Sequence, residues 1–294
     1  MGSYYVTRKT GRRFILKQDL RELCKALRCD ICESIAEVGV GHIGGSLSIV
    51  ELLAVLYFEA MHIDPQNPSM PGRDRLICSK GHAGPAVYAA LSRRGYFDHE
   101  LLLTLNQGGT MLPSHCDRNR TVGVDMTTGS LGQGFSAAVG IALGSKLEDD
   151  GATIYTIIGD GESQEGQIWE SAMFAGNYKL DNLIAFTDCN GLQVDGAVSD
   201  VGNLEPLAAK WRAFNWDVIE VENGNDIDAV RLAVSMAKAN RGKGKPTMVL
   251  LHTVKGCGVS FVIAKGAGNH NAPFSKEDAA RAIAEIRGED AAWK

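Results

Sequence analysis

The sequence has no apolar run of about 18 residues, the length that a membrane-spanning helix needs, so no membrane span is predicted. It also has no internal repeat and no low-complexity linker, which argues against a repeat array. Its basic residues form no extended cluster, since Arg12 and Arg13 are only a pair and the formal net charge is −5. A nucleic-acid partner is therefore not expected.

The N-terminal segment, residues 1–17, is basic but lacks the apolar core and the small-residue cleavage site of a signal peptide. We expect a flexible arm or interface tail there, followed by one domain over 18–294. The seven cysteines are scattered over predicted helices and strands, which favours reduced thiols and a cytoplasmic protein. Cys29 and Cys32 have no second pair at zinc spacing, so we expect inert, buried thiols.

Strand-like and helical patterns alternate along the chain. Short apolar runs predict strands over 76–78, 153–158, 183–187, 216–221 and 247–253. Apolar residues at three- and four-residue intervals predict helices over 18–38, 48–61, 84–94, 98–107, 204–214, 227–239 and 275–287, with further helices after the glycine-rich turns at 127–134 and 159–161. Strands separated by helices throughout predict an α/β fold, a doubly wound, mainly parallel sheet with helices on both faces.

The interval from Asp160 to Asn190 is the most informative part of the chain. An apolar run (153–158) ends in Gly-Asp-Gly, a helical stretch follows, and a second apolar run (183–187) ends in Asp-Cys-Asn-Gly. Such a unit normally makes two neighbouring parallel strands, so both side chains should lie at the strands' carboxyl ends, where α/β sheets bind ligands. A carboxylate and an amide oxygen there suit a hard cation such as Mg2+ or Ca2+.

Four motifs in this order resemble those of the transketolase family. They are SKGHAGPAVYAAL (79–91), TTGSLGQG (127–134), GDGESQEGQIWESAMFAGNYKLDNL (159–183) and HTVKGCG (252–258). The resemblance extends over about residues 20–275. It implies a thiamine diphosphate-binding fold of the diphosphate-binding (PP) type, with thiamine diphosphate and Mg2+, or Ca2+ or Mn2+, as cofactors.

Four histidines stand at positions that resemble catalytic histidines of this family. The resemblance assigns His42 to substrate hydroxyls and proton transfer, His82 to the diphosphate and the substrate, and His115 to the terminal hydroxyl of the donor. His270 lies near a further cofactor and substrate histidine, although its neighbours differ from the family pattern. Similarly, Ser-His-Cys surrounds His115 where the family more usually has Gly-His-Pro. Imidazoles titrate near neutrality, so such a cluster can both donate and accept protons.

The resemblance also implies contacts with the cofactor and the metal. It makes Lys80 and Lys255 candidate phosphate or cofactor contacts. Glu165 would lie near a subunit interface and be linked to the opposite active site. The remaining residues implied in binding are Gly129 and Leu131 at the aminopyrimidine ring, Gly159 and Gly161 at the diphosphate, and the Leu192 carbonyl, with Asp160 and Asn190, at the metal.

A pyrimidine-binding domain, which in this family supplies a glutamate to the cofactor, has no counterpart in the motifs of this chain. The resemblance covers the N-terminal half of a single-chain transketolase, which implies a split enzyme. We therefore expect a separate C-terminal subunit in an α2β2 assembly, and a homodimer as the arrangement without that subunit. Sugars or sugar phosphates would be the substrates of a two-carbon ketol transfer.

Several alternatives stay open at this point. Another thiamine diphosphate enzyme, such as a 2-oxo acid dehydrogenase α subunit or a 1-deoxyxylulose-5-phosphate synthase, would share the Gly-Asp-Gly motif. A non-catalytic scaffold paralogue would retain the fold without turnover. A nicotinamide enzyme is disfavoured, because TTGSLGQG lacks the G-x-G-x-x-G order and the acidic residue about twenty positions later.

Overall fold

A computed structural model describes residues 6–7, 13–14 and 19–288 of the chain. The expected arm over 1–17 lies outside the described residues, except for two short strands, Val6–Thr7 and Arg13–Phe14, which pair antiparallel. The central sheet has five strands, in chain order β1 (Arg75–Cys78), β2 (Ile154–Gly159), β3 (Leu183–Cys189), β4 (Asp217–Val221) and β5 (Thr247–His252).

All five strands run parallel, in the spatial order β1-β2-β3-β5-β4. The strand predicted over 183–187 is central and lies beside the one predicted over 153–158, as expected. Two short antiparallel pairs lie outside this sheet, Val40–Gly41 with Ala272–Pro273 and Leu192–Gln193 with Gly196–Ala197. The predicted α/β fold with a mainly parallel sheet is confirmed.

The helix predicted over 98–107 is a 3-10 segment, and the short helices Val198–Gly202 and Ser260–Ile263 were not predicted. The α-helices of the described part otherwise follow the predicted order. They are α1 (Leu20–Val38), α2 (Ile43–Leu47), α3 (Val50–Val55), α4 (Gly84–Arg94), α5 (Gln133–Glu148), α6 (Gly166–Asn177), α7 (Val198–Gly202), α8 (Leu207–Ala213), α9 (Ile227–Ala239), α10 (Ser260–Ile263) and α11 (Lys276–Arg287). Short 3-10 segments occupy Gly81–Ala83, His99–Thr104, Glu162–Gln164 and Gly266–Asn269, and a π-helical turn occupies Leu56–Ala60.

The prediction of a single helix over 48–61 is wrong in its extent. The structure has α2, α3 and the π-helical turn in its place, and α2 begins before the predicted start. Ile49 interrupts the helix with φ −109° and ψ 14°. Next to it, the Ser48 hydroxyl donates to Asp188 Oδ2 at 2.7 Å, while its oxygen lies 3.1 Å from the Gly45 carbonyl oxygen, so the single proton of this hydroxyl bonds to a residue of β3.

Helices cover both faces of the sheet because successive strand residues point to opposite sides. In β1, Leu76 and Cys78 belong to one apolar core, which α1, α3, α4 and α9 complete. Ile77 points the other way into a second core, which α5, α6 and α8 complete. Both cores leave the carboxyl ends of the strands free for loops, and the predicted site residues lie in or next to these loops.

Helix α1 illustrates how local sequence sets an element. The Asp19 carboxylate caps its first turn by accepting from the Arg21 amide at 2.9 Å, and Gly39 ends it in a left-handed conformation with φ 85°. Cys29 and Cys32 are buried on this helix as predicted, and all seven cysteines are free thiols. None of the helices over 19–288 has the length and apolarity needed to cross a bilayer.

Candidate active site at the carboxyl ends of the strands

Asp160 and Asn190 follow the carboxyl ends of two adjacent strands, with Gly159 paired to Asp188 in the register. The Asp160 carboxylate accepts hydrogen bonds from the Gly161 amide at 2.8 Å and the Gly191 amide at 2.6 Å. Gly191 has φ 74°, a conformation that side chains disfavour, so a glycine here lets the amide reach the carboxylate. The structure thus brings together the two strand ends that the sequence predicted to be neighbours.

The oxygens around Asp160 fit a hard cation. The carboxylate is 8% exposed, and burial together with the Asp188 charge raises the pKa of Asp160 to about 6. Among residues 19–288, Asn190 Oδ1 accepts the Leu192 amide alone, at 3.1 Å, and the Leu192 carbonyl accepts the Lys255 ammonium at 3.0 Å. Each of these oxygens keeps a second lone pair. A buried carboxylate that accepts backbone amides, together with two neutral oxygens in the turn whose Gly191 amide bonds to it, is a donor set that Mg2+ or Ca2+ prefers.

Over residues 19–288 there is no group of three or more His, Cys, Asp or Glu side chains arranged to hold a metal. The predicted metal ligands are consistent with that result, because among them only Asp160 is a His, Cys, Asp or Glu residue. The amide oxygen of Asn190 and the main-chain carbonyl of Leu192 would supply the other protein ligands, and a ligand phosphate and water would complete the shell.

Four histidines converge from four separate segments. The His42 ring centroid lies 5.3 Å from that of His82 and 5.4 Å from those of His115 and His270. The His82 and His270 centroids are 4.9 Å apart. The structure therefore brings together all four predicted histidines, although nothing in the geometry tests their individual roles. The other histidines, His62, His99 and His252, are exposed and lie outside this cluster.

The imidazoles of the cluster are held neutral. Burial, followed by the charges of His115 and Lys255, lowers the pKa of His42 to about 4. Burial, followed by the Lys255 charge, lowers the pKa of His270 to about 4. Burial also lowers the pKa of His115, and burial with the Lys80 charge lowers that of His82 well below its usual value. Near pH 7 these side chains are therefore uncharged, and each can donate one hydrogen bond and accept another.

The neutral state of the imidazoles predicts acid sensitivity of the fold. The unfolded chain protonates His42 and His270 near pH 6.5 and the folded chain near pH 4, so the unfolded state binds more protons between these values. Stability should fall as the pH is lowered through this window. In the double variant H42Q/H270Q, the loss between pH 7 and pH 5 should be smaller by roughly 2 kcal/mol after discounting for partial exposure, measured by urea denaturation. His62→Gln, an exposed control, should keep the parental loss, and an equal loss in the double variant would contradict the assignment.

Lys255 links the Leu192 carbonyl to the histidine cluster. Its ammonium lies 3.0 Å from the Leu192 carbonyl oxygen and 3.1 Å from His270 Nδ1. Burial, followed by the Lys80 charge, lowers the pKa of Lys255 to about 8. A buried cation at this position suits contact with an anionic ligand group, which agrees with its predicted role.

Lys80 has a different environment from the one that its sequence motif suggested. Its ammonium is 2% exposed, pairs with Asp188 at 2.6 Å, and donates to the Gly45 carbonyl at 2.8 Å. The Lys80 ammonium therefore already has hydrogen-bond partners within the protein, which favours a structural role over the predicted phosphate contact.

The glycine-rich loop lies beside the same edge of the sheet. A Cβ at Gly129 would lie 3.3 Å from the His115 ring, so this glycine brings the loop against the histidine cluster. Leu131 is half-buried, and Glu165 is exposed at the start of α6. A Cβ at Gly132 would lie 3.2 Å from the Glu165 Cβ. The exposure of Glu165 is compatible with the predicted interface position, which stays a prediction.

Two organising carboxylates were missed by sequence reasoning. Glu162 is 3% exposed and accepts from the Gly132 amide at 3.0 Å, the Gly159 amide at 3.1 Å and the Ser79 hydroxyl, so it joins three loops. Asp188 is fully buried at the end of β3. The signal for both was present, since each is an acidic residue within two positions of a predicted site residue, but most of their partners are distant in sequence.

The paired glycines after His42 differ in what they tolerate. A Cβ at Gly44 would clash with the Asn269 side chain and approach its carbonyl oxygen to 2.9 Å, whereas at Gly45 the nearest atom would be His82 Nε2 at 3.5 Å. We expect Gly44→Ala to lower the free energy of unfolding by roughly 1–3 kcal/mol through overpacking. Gly45→Ala should change it by less than about 0.5 kcal/mol. Chemical denaturation of both variants tests this, and equal stability would contradict the close packing of α2 against Asn269.

Comparison with known proteins gives the family. Residues 19–291 match the family described as "Transketolase, thiamine diphosphate binding domain". The chain is 58% identical over 273 residues to the 6-deoxy-6-sulfo-D-fructose transketolase subunit SqwG of Clostridium sp. (strain MSTE9), covering 93% of this chain and 98% of that protein. It is 37% identical over 257 residues to an apulose-4-phosphate transketolase subunit of Phocaeicola vulgatus, covering 87% and 90%.

Solved structures agree with this assignment. The transketolase from Leishmania mexicana superimposes with a TM-score of 0.84 at 32% identity, over 93% of this chain. The chain spans only 41% of the length of that transketolase. The family indicated by the four motifs is confirmed. This chain belongs to the transketolase family, and it matches the thiamine diphosphate-binding domain of that family.

Proposed function

We propose that this chain is the diphosphate-binding subunit of a split transketolase that needs thiamine diphosphate and a divalent cation. The observation that carries the proposal is the donor set of Asp160, Asn190 and Leu192 at adjacent strand ends, beside four neutral imidazoles. The cation, with Mg2+ favoured over Ca2+ or Mn2+, would be held by these three residues. We further propose that 18–294 is a single domain of this type and that 1–17 is an arm.

The cofactor would lie across the same edge of the sheet. The residues proposed to contact it are His82, Gly129, Leu131, Gly159, Gly161, Glu165, Lys255 and His270. When bound, thiamine diphosphate supplies the carbanion that cleaves and forms the carbon–carbon bond of a ketose. The protein groups would position the diphosphate through the cation and Lys255, and exclude water around the reacting carbons.

The histidines would handle the protons and hydroxyls of the sugar. Neutral His42, His82, His115 and His270 can each donate one hydrogen bond and accept another, which suits a chain of hydroxyl groups. Their lowered pKa values keep them available as bases at neutral pH. We propose that they orient the ketose and move protons during cleavage and transfer of the two-carbon unit.

A separate subunit would complete the enzyme. The two relatives above are named transketolase subunits, and the chain covers 98% and 90% of their lengths. We propose a partner chain that carries the pyrimidine-binding domain in an α2β2 assembly, and a homodimer in its absence. The seven free thiols support a reducing, cytoplasmic setting.

The name of the 58% identical relative suggests a substrate class. We propose that the donor is an anionic ketose and favour 6-deoxy-6-sulfo-D-fructose. The relative named for apulose-4-phosphate is less similar, at 37% identity, which makes that sugar the weaker candidate. In either case a ketol unit of two carbons would pass from the ketose to an aldose.

The test is a reconstitution. Purified chain with thiamine diphosphate and Mg2+ should transfer no ketol unit, whereas addition of the pyrimidine-domain subunit should give turnover. The donors to compare are 6-deoxy-6-sulfo-D-fructose, apulose 4-phosphate and fructose 6-phosphate, with product sugars measured by mass spectrometry. Robust transfer by the chain alone would refute the split-subunit proposal. Oxidative decarboxylation of 2-oxo acids would favour the alternative thiamine diphosphate enzyme. A complex that binds cofactor but shows no turnover would favour the scaffold.

A further inference from the structure

Asp188 joins four segments at the end of the central strand. It is fully buried, and its Oδ2 accepts hydrogen bonds from Lys80 Nζ at 2.6 Å, Ser48 Oγ at 2.7 Å and Asn190 Nδ2 at 2.8 Å. Its Oδ1 accepts the Thr253 hydroxyl. All four partners donate, which leaves the carboxylate fully satisfied in a site without solvent.

The contact with Asn190 determines which end of that amide faces outward. An asparagine side chain can present either its NH2 group or its oxygen, and only the oxygen binds a cation. A carboxylate accepts but cannot donate, so Asp188 selects the NH2 group. Asn190 Oδ1 is thereby turned to the Leu192 amide at 3.1 Å, in the same turn whose Gly191 amide donates to Asp160.

The buried charge of Asp188 needs compensation, which Lys80 provides. The Lys80 ammonium lies 2.6 Å from Asp188 Oδ2, and the two side chains are 2% and 0% exposed. The ammonium also donates to the Gly45 carbonyl at 2.8 Å, in the helix that follows His42. The ion pair therefore connects the histidine cluster with the strand end that bears Asn190.

We propose that Asp188 is a positioning residue that fixes the amide of Asn190 with its oxygen toward the cation, and that Lys80 is its counter-ion. The proposal rests on the proposed function, because the cation and the diphosphate are the ligands that this orientation serves. Asp188 touches neither ligand and acts through Asn190.

The experiment compares variants of the full chain without the Lys80 charge. In K80M/D188N, the amide oxygen of the introduced asparagine can still accept from Asn190 Nδ2, and the NH2 group of the introduced asparagine faces the Thr253 hydroxyl. K80M/D188V has no acceptor, while valine suits a strand and the apolar pair avoids an unpaired buried charge. The affinity for Mn2+ in the presence of thiamine diphosphate is measured by calorimetry, and the melting temperature without ligands reports the fold.

We expect K80M/D188V to bind Mn2+ about tenfold or more weakly than K80M/D188N, at similar melting temperatures. Thr253→Val, which removes a different hydrogen bond to Asp188, should change the affinity by less than about threefold. If the valine variant does not fold, K80M/D188S gives the same comparison, because serine is too short to reach Asn190. Equal affinities of the two double variants would overturn the positioning role. Absence of any binding by the unaltered chain, both alone and in the complex with the pyrimidine-domain subunit, would instead overturn the proposed function.

Discussion

Asp160→Asn is expected to abolish productive cofactor binding while leaving the fold intact. The substitution removes the only carboxylate of the proposed cation site, and a neutral amide is a much weaker ligand for Mg2+. The parent carboxylate accepts only the amides of Gly161 and Gly191 among the described residues, and an asparagine oxygen can retain one of these bonds. We expect the affinity for Mg2+ with thiamine diphosphate to fall by at least about 100-fold, measured by calorimetry.

Asp195→Asn is the matched control, because Asp195 is an exposed carboxylate in the nearby turn between Leu192–Gln193 and Gly196–Ala197. This variant should bind the cation and cofactor as the parent does. In the reconstituted complex, ketol transfer by the Asp160 variant should fall in parallel with cofactor binding. If Asp160→Asn has unchanged affinity and the parental melting temperature, Asp160 is not a ligand of the cation.

Lys80→Met is expected to cause the largest loss of stability among the single substitutions considered for this site. It leaves the Asp188 carboxylate without its counter-ion in a position that is 0% exposed. Breaking a buried pair by removing one partner typically costs about 3–5 kcal/mol. For a chain of this size, we expect the melting temperature to fall by on the order of 10 °C, measured by scanning calorimetry.

Lys25→Met provides the control, because Lys25 pairs with Glu22 at the surface, where the two side chains are 48% and 67% exposed. Exposed pairs contribute little, so this change should alter stability by less than about 0.5 kcal/mol. A second outcome discriminates between two roles of Lys80. Parental stability of Lys80→Met together with weakened diphosphate binding would support the phosphate contact that the motif suggested and contradict the structural pairing.

Local pattern explains why much of the fold was predictable. The helix over 20–38 has a capping aspartate, a regular apolar face and a terminating glycine, all within one segment. The extent of the helix over 48–61 was mispredicted because the Ser48 hydroxyl at its interruption bonds to distant Asp188, and no local pattern records that partner. Boundaries were thus predictable where the determinants were local.

The same distinction between local and distant determinants applies to the candidate site. The adjacency of Asp160 and Asn190 followed from sequence alone, because a strand–helix–strand unit of thirty residues leaves few arrangements other than neighbouring parallel strands. The motif resemblance located the four histidines, but only the tertiary structure decided that they are neutral, since burial among distant segments lowers their pKa values. Packing likewise decided the partner of Lys80, which is 108 positions from Asp188 in the chain, because a buried charge is satisfied by whatever the fold places beside it.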